Sequence, residues 1–275
     1  MKRTIVLKVE YLDCSKLKKA EEEAQRQSLF QQAVKTFHEQ MGDLDKSLNI
    51  LRQDWVREEV LIEFPEIVWE KLLNLQVMHR GSPAIGKEYW QLNEWAETHW
   101  EDLLFLLGER YILFGEWIYN KHAIFYDQLP HFFLESDIYD RDRELWLSTN
   151  ARNDLLRGHN YIHRVPVIAA FKPSNLGQLT NLVGKSKYQS EKWKEALELK
   201  CHMSGASYTK TLAETDQSGL MEGLYIKQED DLQVLNRYKY IRYEFLQSIL
   251  NSGTHLRDRV PVSNGLIGIT QPVGV

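Results

Sequence analysis

The chain alternates between stretches with helical spacing and short apolar runs that read as strands. Thr4 to Val9 alternates like a short strand. From Ser15 the period lengthens, with Leu17, Ala20, Ala24, Phe30, Ala33, Phe37 and Met41 on one face of a helix. Ser15 suits its start and Gly42 its stop. A shorter helix is expected over Leu44 to Val60, with Leu48, Leu51 and Trp55 sharing a face. Pro65 marks a boundary, which divides the chain into a helical extension over 1–64 and a domain over 65–275.

Beyond Pro65 the pattern turns mixed. Trp69 to Val77 reads as a strand or strand-turn, followed by the turn Arg80-Gly81-Ser82-Pro83. Trp90 to Leu107 has one amphipathic period and predicts a single helix ended by Gly108. Apolar runs predict strands at Tyr111 to Phe114, Phe132 to Leu134, Leu145 to Leu147 and Val165 to Phe171. Helices are expected over Asn150 to Leu156, from a Ser174 cap to Val183, over Lys185 to Leu199, and over Glu244 to Leu250. Ser204 to Ser218 reads as a loop. Glu222 to Lys227 and Leu232 to Arg242 read as two strands around Glu229-Asp230-Asp231. The sum is an α+β chain with antiparallel sheets and flanking helices.

Candidate chemistry collects at strand ends. Tyr111 to Phe114 runs into Gly115-Glu116-Trp117, and a glycine beside a carboxylate lets a ligand or another backbone approach. The next apolar run feeds Asp137, so two neighbouring strands end in acids that suit a sugar hydroxyl or a metal ion. Solvated strand ends would look the same. On the late strands, alternation puts Tyr225 and Lys227 on one face, and Arg237 and Lys239 on one face. Cations at i and i+2 would point into one cleft, as binding a triphosphate requires.

Composition narrows the class. The 275 residues include 43% hydrophobic and 27% charged positions, values that exclude wholesale disorder. A net charge of −5 does not advertise nucleic-acid binding, yet leaves room for a local basic groove. The apolar run after Met1 is too short for a signal peptide, and no stretch could cross a bilayer. Cys14 and Cys201 give neither a disulfide framework nor a zinc spacing, so a reduced cytoplasmic setting is expected.

Four motifs in order carry a resemblance. Gly115-Glu116-Trp117 with His122, then Phe125-Tyr126-Asp127, Leu129-Pro130, Phe133-Leu134-Glu135 and Asp137, resemble the central motifs of the ATP-dependent RNA ligases. Glu222-Gly223-Leu224-Tyr225-Ile226-Lys227 and Arg237-Tyr238-Lys239-Tyr240-Ile241-Arg242 resemble two later motifs of that family. Leu147-Ser148 with Arg152, and a late segment leading to Asn264, are smaller echoes. The resemblance implies a nucleotidyltransferase (adenylation) domain that uses ATP and Mg²⁺ to join RNA 5′-phosphate and 3′-hydroxyl ends. It implies Arg80 at the nucleotide phosphates, Glu116 at the ribose or metal, and Glu222 at the metal and the lysine nucleophile. It places Arg237 and Lys239, and more weakly Lys227, at the phosphates. The implied catalytic set is Lys71, Glu222 and Lys239.

The chain departs from the family at two points. It contains no Asp-Gly dipeptide, the usual sequel of the nucleophile, and Trp69-Glu70-Lys71-Leu72 is the nearest substitute. The interval from Lys71 to Arg80 reads as too short for the strand and turn of the family, as though a segment were missing. Ser136 stands where the family has an aromatic that stacks on adenine. A ligase-like domain that binds nucleotide or RNA ends without catalysis is therefore the second reading. The N-terminal helices read first as a packing accessory, with an RNA-facing or protein-partner-facing extension as the alternative.

Overall fold

The computed structural model describes residues 3–12, 72–79, 82–251 and 259–268. The helices expected before Val60, and the expected positions of Lys71 and Arg80, lie outside the described residues. In chain order the elements are β1 (Arg3–Leu12), β2 (Leu72–His79), β3 (Ser82–Pro83), α1 (Trp90–Thr98), α2 (Trp100–Leu107), β4 (Tyr111–Trp117), β5 (Phe133–Asp140) and β6 (Leu145–Trp146). They continue with α3 (Thr149–Leu155), α4 (Leu176–Thr180), α5 (Trp193–Ser204), α6 (Tyr208–Ala213), β7 (Gly223–Glu229), β8 (Val234–Ile241) and α7 (Tyr243–Asn251). Six strands form a sheet ordered β3-β2-β1-β4-β5-β6, and β7-β8 form a second. The pairs β1–β2, β2–β3 and β7–β8 are antiparallel, as the α+β reading requires. Among the described residues no helix is long and apolar enough to cross a membrane.

The chain divides into two compact units, Ile5–Leu113 with Asp140–Arg143, and Met1–Thr4 with Phe114–Tyr139 and Glu144–Val275. In the first unit, strict alternation buries Ile5, Leu7 and Val9 of β1 completely. The single helix expected over Trp90 to Leu107 is two, because His99 leaves the helical region at φ −110°, ψ 22°. The buried stripe of Leu92, Trp95, Ala96, Trp100, Leu103 and Leu107 continues across that break, so periodicity revealed the face but not the kink. Arg110 grips Asp140 through Nε at 3.0 Å and Nη2 at 2.7 Å, while the Asp142 and Arg143 amides donate to the same carboxylate. That network caps the charged turn after β5.

Leu72–His79 is an eight-residue strand that pairs with β3 through Met78–Pro83 and His79–Ser82.

In the second unit Phe125, Trp193, Leu197, Cys201 and Val262 form a buried cluster. Buried Asn264 fastens the C-terminal segment, accepting from the Tyr126 amide at 2.9 Å and donating to the Ile118 carbonyl at 2.7 Å. Val165 to Phe171 is not a strand but exposed irregular chain. Its ladder stops after the Val165 amide donates to Glu135 O, and Pro166 has no amide to continue it. Asn175, not Ser174, caps α4, accepting from the Gln178 amide. The expected loop after Ser204 contains α6, capped by Ser207.

Candidate nucleotide-binding face

The β7–β8 hairpin defines the face. Its register sets Lys227 opposite Arg237 and Tyr225 opposite Lys239. Directly opposed residues share a face, so all four side chains occupy one side. The Tyr225–Lys227 and Arg237–Lys239 pairs expected on separate strands thus become one surface that carries three cations. Gly223 makes the close pairing possible: a Cβ there would sit 1.9 Å from the Tyr240 carbonyl oxygen and 2.8 Å from Ile241 Cα. No L side chain fits against backbone at that separation.

Asp137 of β5 joins this face. Its Oδ1 lies 2.9 Å from Lys227 Nζ and 3.3 Å from Arg237 Nη2. The Tyr225 hydroxyl donates to Oδ2 at 3.3 Å. Lys227 Nζ also donates to the Ser136 carbonyl at 2.7 Å and lies 5.5 Å from the centre of the Tyr225 ring. Arg237 stacks over Trp146 with its guanidinium carbon 3.9 Å from the ring centroid, a close cation–π contact. Trp146 is itself packed against Phe114 and Tyr139. The aromatic load at this point therefore orients cations.

These surroundings perturb the titrating groups. Burial, and then the Arg152 charge, pull the Lys227 ammonium below the usual lysine value, although Asp137 works in the opposite sense. Burial first, and then the Asp137 charge, push the Tyr225 phenol up to about 12. Perturbed groups gathered on one face mark a functional-site candidate.

Behind Asp137 lies a second ion pair. Glu135 is wholly buried and its Oε1 meets Arg152 Nη1 at 2.7 Å. Burial pushes the Glu135 carboxyl up, against the pull of Arg152. Arg152 also donates to the Ser136 carbonyl, the oxygen that Lys227 uses.

The remaining candidates are placed separately. Lys239 is exposed and has no ion-pair partner among the described residues. Glu116, in β4, accepts from Thr4 Oγ1 at 3.1 Å. Glu222 lies one residue before β7, half-buried, and its carbonyl accepts from the Arg242 amide at 2.9 Å. Strand alternation therefore does not fix its side-chain direction. Arg242, the last cation of the basic motif, is committed elsewhere: it is buried against Asp216 and donates to Met221 O and Ser218 Oγ. The hydroxyl of Ser136, in the aromatic's place, makes a long 3.5 Å contact to Phe114 O.

The family model for RNA ligase matches residues 66–241, which span every element from β2 to β8. The chain belongs to the RNA ligase family. No curated protein and no solved structure matches it significantly. Within that family membership, the sequence motifs had named Lys227, Arg237 and Lys239, which the register brings to one face. They had not assigned roles to Tyr225, Glu135 or Arg152. Arg152 carried a weak signal as part of a smaller echo, but Glu135 and Tyr225 needed the register and the ion pair to be seen.

Proposed function

We propose that this chain is an ATP- and Mg²⁺-dependent RNA ligase that joins RNA ends through nucleotidyl transfer. The observation that carries the reading is the convergence of Lys227 and Arg237 on one face of β7–β8 beside exposed Lys239, in a chain of the RNA ligase family. Three cations on one face suit a polyphosphate, whose charge they neutralise. The fold reading that goes with this is a nucleotidyltransferase domain over 65–275 whose sheet also takes in β1 from the 1–64 segment.

The Lys71 amine serves as nucleophile. It attacks the α-phosphate of ATP, forming an N–P bond as the P–O bond to pyrophosphate breaks. AMP then passes to an RNA 5′-phosphate, and a 3′-hydroxyl displaces it to seal the strand. Arg80, Arg237 and Lys239 hold phosphate oxygens, with Lys227 beside them, while Glu116 meets the ribose.

Among the described residues no group of three or more His, Cys, Asp or Glu could hold a metal ion. Mg²⁺ is commonly bound through one or two carboxylates together with substrate phosphates. Glu222 is the carboxylate assigned to it. When bound, the ion would neutralise phosphate charge.

Ser136 favours the second reading, a ligase-like domain that binds nucleotide or RNA ends without catalysis. Absence of a stacking ring weakens base binding by about 1–3 kcal/mol. Intact mass after incubation with Mg-ATP, with peptide mapping of any adduct, separates the two. AMP on Lys71 supports the ligase. Binding of Mg-ATP without an adduct supports the second reading, and an adduct on another residue overturns the nucleophile assignment.

A further inference from the structure

We propose that the buried Glu135–Arg152 pair is a positioning device for the phosphate-binding face, holding the Ser136–Asp137 segment so that Lys227 and Arg237 are presented together. The inference rests on the nucleotide-binding reading of that face.

Three observations carry it. The first is connectivity. Arg152 binds Glu135 and the Ser136 carbonyl, Lys227 binds that same carbonyl, and Asp137 follows directly in the chain. One peptide oxygen thus lies between the buried guanidinium and the functional ammonium. The second is the mounting of Arg152. Its helix, α3, begins at Ser148, whose amide donates to Leu232 O and whose hydroxyl donates to Asp231 O, both in the β7–β8 turn. Thr149 adds amide and hydroxyl bonds to Glu229 at 2.9 Å. The first turn of α3 is therefore fastened to the hairpin bearing Lys227 and Arg237, while Arg152 is fastened to the strand bearing Asp137. On its other side β5 is held where Glu135 exchanges backbone hydrogen bonds with His163 and Val165.

The third observation is that the pair is poorly made for stability. Glu135 Oε2 and Arg152 Nε are both buried, and among the described residues neither has a hydrogen-bond partner. Burying two charges costs several kcal/mol per ion before their attraction is counted, and apolar replacements are often neutral or stabilising. A pair with unmet valences therefore points to a role other than cohesion.

The test reads Lys227 directly. The charged and titratable groups facing it are Asp137, Tyr225, Arg152, Glu135 and Arg237. Its side-chain titration is followed by ¹⁵N-lysine NMR, together with Mg-ATP affinity by calorimetry. In the double variant Glu135→Leu/Arg152→Met, loss of the Arg152 cation moves the Lys227 titration upward. Loss of the charge-assisted mounting weakens Mg-ATP binding about tenfold. In Glu135→Gln, which keeps volume, the Lys227 titration moves downward because an attracting carboxylate has gone. These opposite signs would not arise from general loosening. Unchanged titration and affinity in folded variants overturn the proposal, as does failure of Glu135→Gln to fold, which would make the pair a structural strut. If the unaltered protein binds no Mg-ATP, the nucleotide reading falls, while the Lys227 titrations still decide the positioning role.

Discussion

Lys227 and Arg237 face each other across β7–β8 and both reach the same oxygen of Asp137. Two cations on adjacent strands repel unless a negative charge lies between them. Asp137 supplies that charge where no phosphate is bound, and a polyphosphate would compete with it. Asp137→Asn should therefore act in two directions. Stability to urea should fall by about 2 kcal/mol, because partly buried cations lose their counter-charge. Affinity for inorganic tripolyphosphate should rise several-fold, since the carboxylate no longer competes. Equal or weaker tripolyphosphate binding by the variant would show that Asp137 assists phosphate binding instead of standing in for it.

Lys239 offers the contrasting case. It shares the face but is exposed and has no ion pair among the described residues. Substitution by Ala should leave unfolding within about 0.5 kcal/mol of the unaltered protein, as is usual for a surface side chain. AMP labelling from Mg-ATP should nevertheless drop by at least about tenfold, the scale of one lost transition-state contact. Full labelling by Lys239→Ala would remove Lys239 from the site.

Much of this face was legible in the sequence because strand alternation is local. Tyr225 with Lys227, and Arg237 with Lys239, follow from period two alone, and the motifs supplied the pairing of the two strands. The register could not be read, since it depends on the turn and on an irregularity at Gln228 and Glu229. Nor could the Arg152–Glu135 pair, which joins a helix to a strand 17 positions away through burial. Val165 to Phe171 shows the opposite failure. Its composition suits a strand, but a strand needs a partner, and Pro166 denies it a donor directly after Val165. The two-helix break at His99 left the apolar period intact and therefore unmarked.

Gly223 predicts a stability effect that its motif alone would not specify. An added Cβ would meet the Tyr240 carbonyl and the Ile241 backbone, neither of which can rotate away. Gly223→Ala should cost about 1–3 kcal/mol by forcing the strands apart. Amide exchange across β7–β8 should speed up along with it. A variant with unaltered exchange would mean that the hairpin relaxes without parting, and that glycine is needed there for some other reason.

Glu97 gives the first unit its own pH signature. It lies on α1, where burial, and then the charge of Glu94, raise its carboxyl from the usual 4.5 to about 7. The folded state therefore holds a proton that the unfolded chain releases near 4.5. Between those values the folded state binds more protons, so stability should fall as pH rises from about 4.5 to about 7. The contribution is fully present below that window and lost above it. Glu97→Gln, which mimics the protonated form, should flatten this part of the profile and be the more stable protein at pH 8. Urea unfolding of both proteins at pH 5, 6, 7 and 8 measures the difference. Parallel profiles would mean that Glu97 is ionised throughout, with its burial compensated by solvent or by residues outside the described chain.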